Sequence, residues 1–537
     1  MRVLLISGLG PTIKHQDLLA GSAFTTEPDT RTAAGRLAGT LSRLSVHDPK
    51  HTYPLLRPYH PTAPSRAPVA VPPGPRTRTF PHLTTLTLQA ILADADIDLV
   101  THDAEAIWAG EGRTPPGEFD LVLLSTTFIW ETGSLTRAID WIRQRYPTAT
   151  LILGGQYSNL KHRHILARNT MVDFIIRGDA EIALPQLINA IQGRGNVAEV
   201  PNLSWRDHDT GTIHNTDLSY IDLDAMPSPT VNGPAAVVPY ESMRGCPFAC
   251  RFCSFPAASP RWRYKSATKI AADFARYRHD NGTQYIKALD STFTIPPRRL
   301  RQLLPLLATT GVRWEGYTRA NAIRDHATVH ALEDSHCAAL AIGFESMSDT
   351  VLGYMNKNVT AAANRTAHQL LARSGIEHRA SFMVGYPGET PEHFHDTRQY
   401  LVTEYTGRFS LYVFSLTDET MPVWQDAQRF RLHVGNPDRP DTSWRHIGMD
   451  SHTAQALQRE TLTDIRWHND DAVLNLWQGR YEMPLAPTRS DTENLRIEKF
   501  IERLAMLPVD FPEPEAQSRR SANMVSQLSQ HGIFCRA

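Results

Sequence analysis

The sequence predicts an α/β protein with two consecutive domains. The first is a doubly wound, Rossmann-like parallel sheet. The second is a partial (β/α)6 barrel, followed by a mostly helical C-terminal region. Three observations predict this. Short apolar runs ending in Gly or Ser alternate with helix-length amphipathic segments across residues 1–195. A second alternating series covers 236–420 and contains six strand-like runs. Between them, 200–235 carries the turn signals Pro227, Pro229 and Gly233. The expected division is 1–200, 201–235 as a connector, 236–420, and 421–537 as a capping region that selects the substrate.

Residues 2–7 (RVLLIS) read as a buried parallel strand that ends at Gly8. From about 25 to 80 the chain is rich in Pro, Arg and Thr, which excludes helix and central strand. This segment reads as an insertion or extended wrap, with a disordered loop as the other reading. Helix is expected over 82–94, 132–146 and 182–193, and strand over 97–101, 120–125, 150–154 and 172–177. Ligands bind such sheets outside the carboxyl ends of the strands. Here those ends are Ser125-Thr126-Thr127, Gly154-Gly155 and Gly178.

In the second series, strands are expected at 237–243, 284–290, 312–318, 338–344, 379–384 and 409–415. Helices are expected at 267–280, 297–308, 325–334, 360–374 and 391–404. In barrels of this kind the chemistry sits at the C-terminal strand ends. Beyond 420, residues 452–478 and 491–506 read as helical, and the last stretch as poorly ordered.

Composition narrows the class. At roughly 100–200 residues per domain, 537 residues hold several domains. With 55 basic and 56 acidic residues the net charge is -1, which gives no electrostatic case for a nucleic-acid or anionic membrane partner. No run of 18 apolar residues occurs, and the N-terminal apolar stretch is too short for a signal peptide, so a cytoplasmic protein is expected. Five cysteines in a chain of this size argue against a disulfide framework.

Three of the five, Cys246, Cys250 and Cys253, fall within eight residues, after the first strand of the second series. Three thiolates on one loop can hold three irons of a cubane and leave the fourth open, whereas most such clusters have four Cys ligands. Zinc is the competing reading. It usually needs a second pair of ligands, and Cys337 and Cys535 are single. Cys337 reads as a small buried hydrophobe.

The C-x3-C-x2-C spacing, with Phe252 just before the third Cys, resembles the radical S-adenosylmethionine (SAM) superfamily. The resemblance implies a [4Fe-4S] cluster on Cys246, Cys250 and Cys253, and SAM bound at the open iron and cleaved to a 5'-deoxyadenosyl radical. Further strand-end elements resemble the same family: Asp290 in DSTFT, Arg319 in GYTRAN, Glu345 and Ser346 in GFES, and Gly385 to Thr390 in GYPGET. By resemblance, Phe252, Asp290, Arg319, Glu345, Ser346 and Gly385 line the SAM site. A strand-end Asp, Arg or Glu can equally be an ordinary ion pair.

Residues 1–195 are similar to the cobalamin-binding domain of cobalamin-dependent radical SAM enzymes. The matching elements are Gly154-Gly155 and the segment from Val172 and Asp173 to Gly178, Asp179 and Glu181. Ser125, Thr126, Trp130, Gly154, Gly155 and Gly178 are the implied cobalamin contacts. No D-x-H-x-x-G motif is present, so the resemblance implies cobalamin without a His ligand below the cobalt. Trp130 or Phe128 would cover that face, unless these aromatics pack in the core; a first domain that has lost cobalamin binding is the other alternative.

The family implies methyl transfer from methylcobalamin to an unactivated carbon or a phosphinate phosphorus. The acceptor would be a small molecule or peptide of specialised, antibiotic-type metabolism. The length and domain plan fit the phosphinothricin-type P-methyltransferases. A donor such as flavodoxin or ferredoxin is the implied electron source. Two alternatives stand beside it: a non-methylating rearrangement, cyclisation or oxidation with the same cofactors, and a cobalamin-binding sensor without catalysis.

Overall fold

The computed structural model describes residues 1–8, 82–104, 107, 114–129, 132–207, 209–416, 419–435, 443–475, 490–511, 513, 515–516, 519–520 and 523–524. The expected Pro-rich insertion, Trp130 and Cys535 lie outside the described residues.

The first sheet contains β1 (Arg2–Ser7), β2 (Asp98–Asp103), β3 (Leu121–Ser125), β4 (Thr150–Gly154), β5 (Phe174–Ile176), β6 (Leu203–Arg206) and β7 (Ile213–Asn215). Their order is β2-β1-β3-β4-β5-β6-β7. The first five strands pair in parallel, whereas β6 and β7 are antiparallel additions. The segment read as a connector, 201–235, therefore begins with two strands of the first sheet.

The parallel strands are apolar on both faces, and the packing explains why. Leu4, Ile6, Val122, Leu124, Leu151 and Leu153 meet the helices Thr132–Arg145 and Gln156–Arg168. Val3, Leu5, Leu121, Leu123 and Ile152 meet the helices Leu83–Leu92 and Ala180–Ile191 on the opposite side. Helices on both faces make the sheet doubly wound, and they remove the alternation that a half-exposed strand would show. The strand order reverses between β1 and β3, so the ligand crevice of such a sheet falls at the ends of these strands, beside Ser7 and Ser125.

The second sheet opens with β8 (Val237–Tyr240). A short antiparallel ribbon follows, β9 (Met243–Arg244) with β10 (Arg263–Tyr264), and the cysteine loop lies between its strands. Then come β11 (Tyr285–Ala288), β12 (Arg313–Arg319), β13 (Cys337–Glu345), β14 (Glu377–Val384), β15 (Gly407–Val413), a ribbon of β16 (His433–Val434) and β17 (Trp444–Arg445), and β18 (Ala472–Leu474). The sheet order is β18-β15-β14-β13-β12-β11-β8 and every pair is parallel.

Six strands were expected, and β18 is a seventh. The helix expected over 452–478 ends at His468, because Asn469 leaves helical geometry (φ -128°, ψ 102°), and the apolar run Ala472–Leu474 then joins the edge of β15. Other helix boundaries follow local chemistry. Ser266 caps the helix Ala267–Asn281 by accepting from Lys269 N, and Gly282 ends it at φ 66°. Thr390 and His393 form a capping box around the first turn of the helix Pro391–Thr403.

Along β12 to β15, side chains alternate between the helix-facing core and the opposite, concave face. Trp314, Leu340, Ile342, Ala380, Phe382, Phe409 and Leu411 are core residues. Glu315, Tyr317, Ala341, Arg379, Ser381 and Tyr412 take the concave face. The helix Asp491–Asp510 is fastened to this sheet by a buried bidentate pair, Arg408 with Glu498, at 3.0 and 3.1 Å.

Candidate functional site

The cysteine loop begins with a backbone that only glycine tolerates. Gly245 has φ 76°, and a Cβ there would stand 2.7 Å from Arg261 O. All three thiols are free; Cys250 is buried, and Cys246 and Cys253 are partly buried. Burial, with the charges of Cys250 and Cys246 adding to it, pushes the Cys253 thiol up to about 11. Three thiolates on this loop therefore need a cationic group between them. Among the described residues no three His, Cys, Asp or Glu side chains form a single-ion site.

The strand ends around the loop hold it in place. Arg319, at the end of β12, donates to Cys250 Sγ at 3.4 Å, lies 3.9 Å over the Phe248 ring and also donates to Lys357 O. Lys357 pairs with Glu345, at the end of β13, at 2.8 Å, and both side chains are nearly buried. The Lys357 ammonium lies 5.3 Å from the Phe252 ring centre. Asn356 donates to Ala249 O at 2.9 Å, and Ser291 to Gly245 O at 3.1 Å. Phe252 thus lies within the loop, Arg319 bonds Cys250 directly, and Glu345 joins them only through Lys357.

Three other expected SAM contacts are engaged elsewhere. Asp290 is buried and faces back into the protein. Its Oδ1 accepts from Ser242 N (2.7 Å) and Met243 N (3.1 Å), and its Oδ2 from the Ser242 hydroxyl. Burial raises its carboxyl to about 6. A buried carboxylate must be satisfied internally, so Asp290 fixes the exit of β8. Ser346 is fully buried, and its Oγ accepts from Ser348 N at 3.1 Å in the turn after β13. Gly385 (φ 90°) is covered by the C-terminal region: a Cβ would stand 2.5 Å from Trp444 Cη2. Its N–H donates to Glu389 Oε2 at 2.5 Å, and its carbonyl accepts from His446 Nε2 at 3.2 Å.

At the first sheet's edge, Gly155 (φ 102°) starts the helix Gln156–Arg168, and a Cβ there would stand 2.7 Å from Thr127 N. A Cβ on Gly178 would meet nothing within 4 Å, so the crevice is open at that point. Gly154 also leaves room, its nearest atom being Ile176 O at 3.9 Å. Ser125 is partly buried and bonds Thr127 Oγ1 at 3.2 Å. Thr126 departs from expectation: it is fully buried, donates to Gly154 O (2.8 Å) and accepts from Ser158 N (3.0 Å), so it ties β3 to β4 instead of facing the crevice. Phe128 is partly buried beside it. Cys337 is buried as expected.

The residues that join the two domains went unread in the sequence. Asp179 Oδ1 and Glu181 Oε1, just past β5, accept from Arg244 at 3.0 and 2.6 Å. Asp179 Oδ2 accepts from Arg263 at 2.5 Å. On the far side of the loop Asn159 donates to Ala258 O. The only sequence signal was the motif holding Asp179 and Glu181, and it contained nothing to name its arginine partners.

Comparisons with known proteins agree with this geometry. Residues 240–401 match the Radical SAM superfamily model, so the chain carries a radical SAM domain. An uncharacterized methyltransferase of Pyrococcus horikoshii is 24% identical over 256 residues, 45% of this chain and 55% of the relative. The chain thus spans little more than half of that relative's length. Among solved structures, the cobalamin-dependent SAM radical enzyme OxsB, with aqua-cobalamin and SAM bound, matches with TM-score 0.59 and 15% identity over 84% of this chain and 73% of that one. The radical SAM methyltransferase TsrM of Kitasatospora setae, with cobalamin and a [4Fe-4S] cluster bound, matches with TM-score 0.57 and 14% identity over 82% of this chain and 96% of that one. At this identity the likeness concerns fold: a doubly wound α/β domain followed by a radical SAM domain.

Proposed function

We propose that this chain, which carries a radical SAM domain behind a doubly wound α/β domain, is a cobalamin-dependent radical SAM methyltransferase acting on a small molecule. The observation that carries this reading is the placement of the cysteine loop. It sits at the carboxyl end of β8, and both its flanks are held by the strand-end segments of the first sheet, through Asp179 and Glu181 on one side and Asn159 on the other. Two cofactor sites side by side suit methyl transfer from one bound cofactor to a centre activated by the other.

Cys246, Cys250 and Cys253 would hold the [4Fe-4S] cluster, and Arg319 sets a positive charge beside it. Glu345, with Lys357, offers a charged and nearly buried pair for SAM. Ser125, Gly154, Gly155 and Gly178 would border cobalamin. When bound, these cofactors supply one-electron cleavage of SAM and a methyl group, and the protein orients and shields them. The concave face would receive the substrate. Tyr317 and Tyr412 expose large aromatic surface there, and Lys287 pairs with Glu315 at 3.4 Å. Between them β13 presents the small Ala341 and β14 presents Arg379 and Ser381, while the space over Gly343 is taken by the Glu345–Lys357 pair. A carbon or phosphinate phosphorus acceptor of specialised metabolism, and a flavodoxin or ferredoxin donor, complete the proposal.

The test is anaerobic incubation of reconstituted enzyme with reductant, methylcobalamin, methyl-deuterated SAM and candidate phosphinate or carbon acceptors. Labelled methyl in the product supports the reading. Deoxyadenosine and product without label would assign the non-methylating alternative, and no deoxyadenosine from cluster-loaded protein would leave only a binding protein.

A further inference from the structure

The ribbon that brackets the cysteine loop contains an electrostatic conflict. Arg244 and Arg263 are direct cross-strand partners in β9 and β10. Like charges placed opposite each other destabilise a strand pair. Among the described residues, the one barrel-domain carboxylate bonded to them is Glu241, which accepts from Arg244 at 2.9 and 3.0 Å. The rest of the compensation comes from the first domain. Asp179 Oδ1 accepts from Arg244 (3.0 Å) and from Arg263 (3.1 Å), its Oδ2 accepts from Arg263 (2.5 Å) and Ile221 N (2.9 Å), and Glu181 takes Arg244 in a two-pronged pair at 2.6 and 3.1 Å. Asp179 and Glu181 side chains are only 5% and 6% exposed, so losing one partner would strand charge away from water.

The sequence positions add a consequence. Arg244 lies two residues before Cys246, whereas Asp179 directly follows Gly178 at the open edge of the first sheet. The far flank repeats the pattern: Ala258, five residues after Cys253, is bonded by Asn159, four residues after Gly155.

We propose that Asp179 and Glu181 are positioning residues that close the cysteine loop from the other domain, so that cluster loading and occupation of the first sheet's strand-end crevice are thermodynamically coupled. This rests on the cofactor assignment above. Coupling is reciprocal: whatever orders the loop also orders the crevice edge, and the converse.

Two measurements test it on the full chain. First, hydroxocobalamin is titrated by absorbance into cluster-free and anaerobically reconstituted protein. The reconstituted form should bind about fivefold tighter or more, and Glu181→Gln should bring the two affinities together. Equal affinities in the unsubstituted protein, or a ratio that survives Glu181→Gln, would overturn the proposal. Second, iron release to a ferrous chelator is followed without cobalamin. Glu181→Gln should release iron several-fold faster than the parent. Asp173→Asn, which breaks a first-domain pair with Arg143 away from the loop, should release it at the parent rate. Equal rates for Glu181→Gln and the parent, or equal acceleration by Asp173→Asn, would also overturn it. If hydroxocobalamin binds neither form, the cobalamin assignment fails, and the iron-release arm still decides whether the acid pair closes the loop.

Discussion

Arg319 Nη1 donates to Cys250 Sγ across 3.4 Å, while its Nη2 donates to the Lys357 carbonyl and the guanidinium lies over the Phe248 ring. A fixed positive charge thus stands beside one of the three cysteines proposed to hold the cluster, in a nearly buried position. Reduction adds an electron to the cluster, and a neighbouring cation favours that form. Arg319→Gln should lower the cluster midpoint potential, by on the order of 59 mV if the loss equals a tenfold change in a one-electron equilibrium. An EPR-monitored redox titration measures it; an unchanged or higher potential contradicts the assignment.

The Lys357–Glu345 pair should be costly to break from one side. Both side chains are nearly buried, and removing one partner of such a pair typically costs about 3–5 kcal/mol. Lys357→Met should destabilise the barrel on that scale in urea unfolding of cluster-free protein. Gly343→Ala should do part of the same damage, because its Cβ would stand 2.3 Å from Glu345 Oε1 and 2.7 Å from Lys357 Nζ.

Glu389 should make stability fall with pH. It is fully buried, Gly385 N–H supports one oxygen, and burial raises its carboxyl to about 8 from an ordinary 4.5. Between these values the folded state holds a proton that the unfolded state has released. Stability from this group is therefore full below about 4.5 and lost as pH rises through about 8. The slope approaches 1.36 kcal/mol per pH unit at most. Glu389→Gln should flatten the decline of the urea midpoint between pH 5 and 8; an unchanged slope would reject this source.

Gly155→Ala should remove cobalamin binding while the cluster still loads, without the tightening that cobalamin gives it. The backbone at φ 102° disfavours a side chain, and the added Cβ would press on Thr127 N at 2.7 Å. Absorbance after reconstitution with hydroxocobalamin, alongside iron content, reports both. Cobalamin retained at parent affinity would move the site away from this edge.

Much of the architecture was legible because it is encoded locally. Continuous apolar runs such as LVLLS and TLILG mark strands covered on both faces, and Ser266, Gly282 and Thr390 mark helix ends through their own hydrogen bonds. The helix Gln156–Arg168 was missed: it has only a weak apolar face and a non-helical kink at Lys161. Strands β6, β7 and β18 were missed because three- or four-residue strands take their identity from the edge they join. Membrane insertion was set aside on composition, and among the described residues no helix is long and apolar enough to cross a membrane.

The site divides the same way. Spacing along one loop placed Cys246, Cys250 and Cys253 together, since eight consecutive residues cannot scatter. Chain order alone also put Arg319 and Glu345 at successive strand ends. Which way a strand-end side chain points is another matter, because it depends on what lies opposite. Asp290 and Ser346 turn inward, Thr126 ties two strands, and Gly385 lies beneath Trp444, which is 59 residues away in sequence. The ion pairs between Asp179, Glu181, Arg244 and Arg263 were decided wholly by tertiary structure. Two guanidiniums forced opposite each other in one domain find their counter-charge in the other, and only the packing of the two sheets brings those partners within reach.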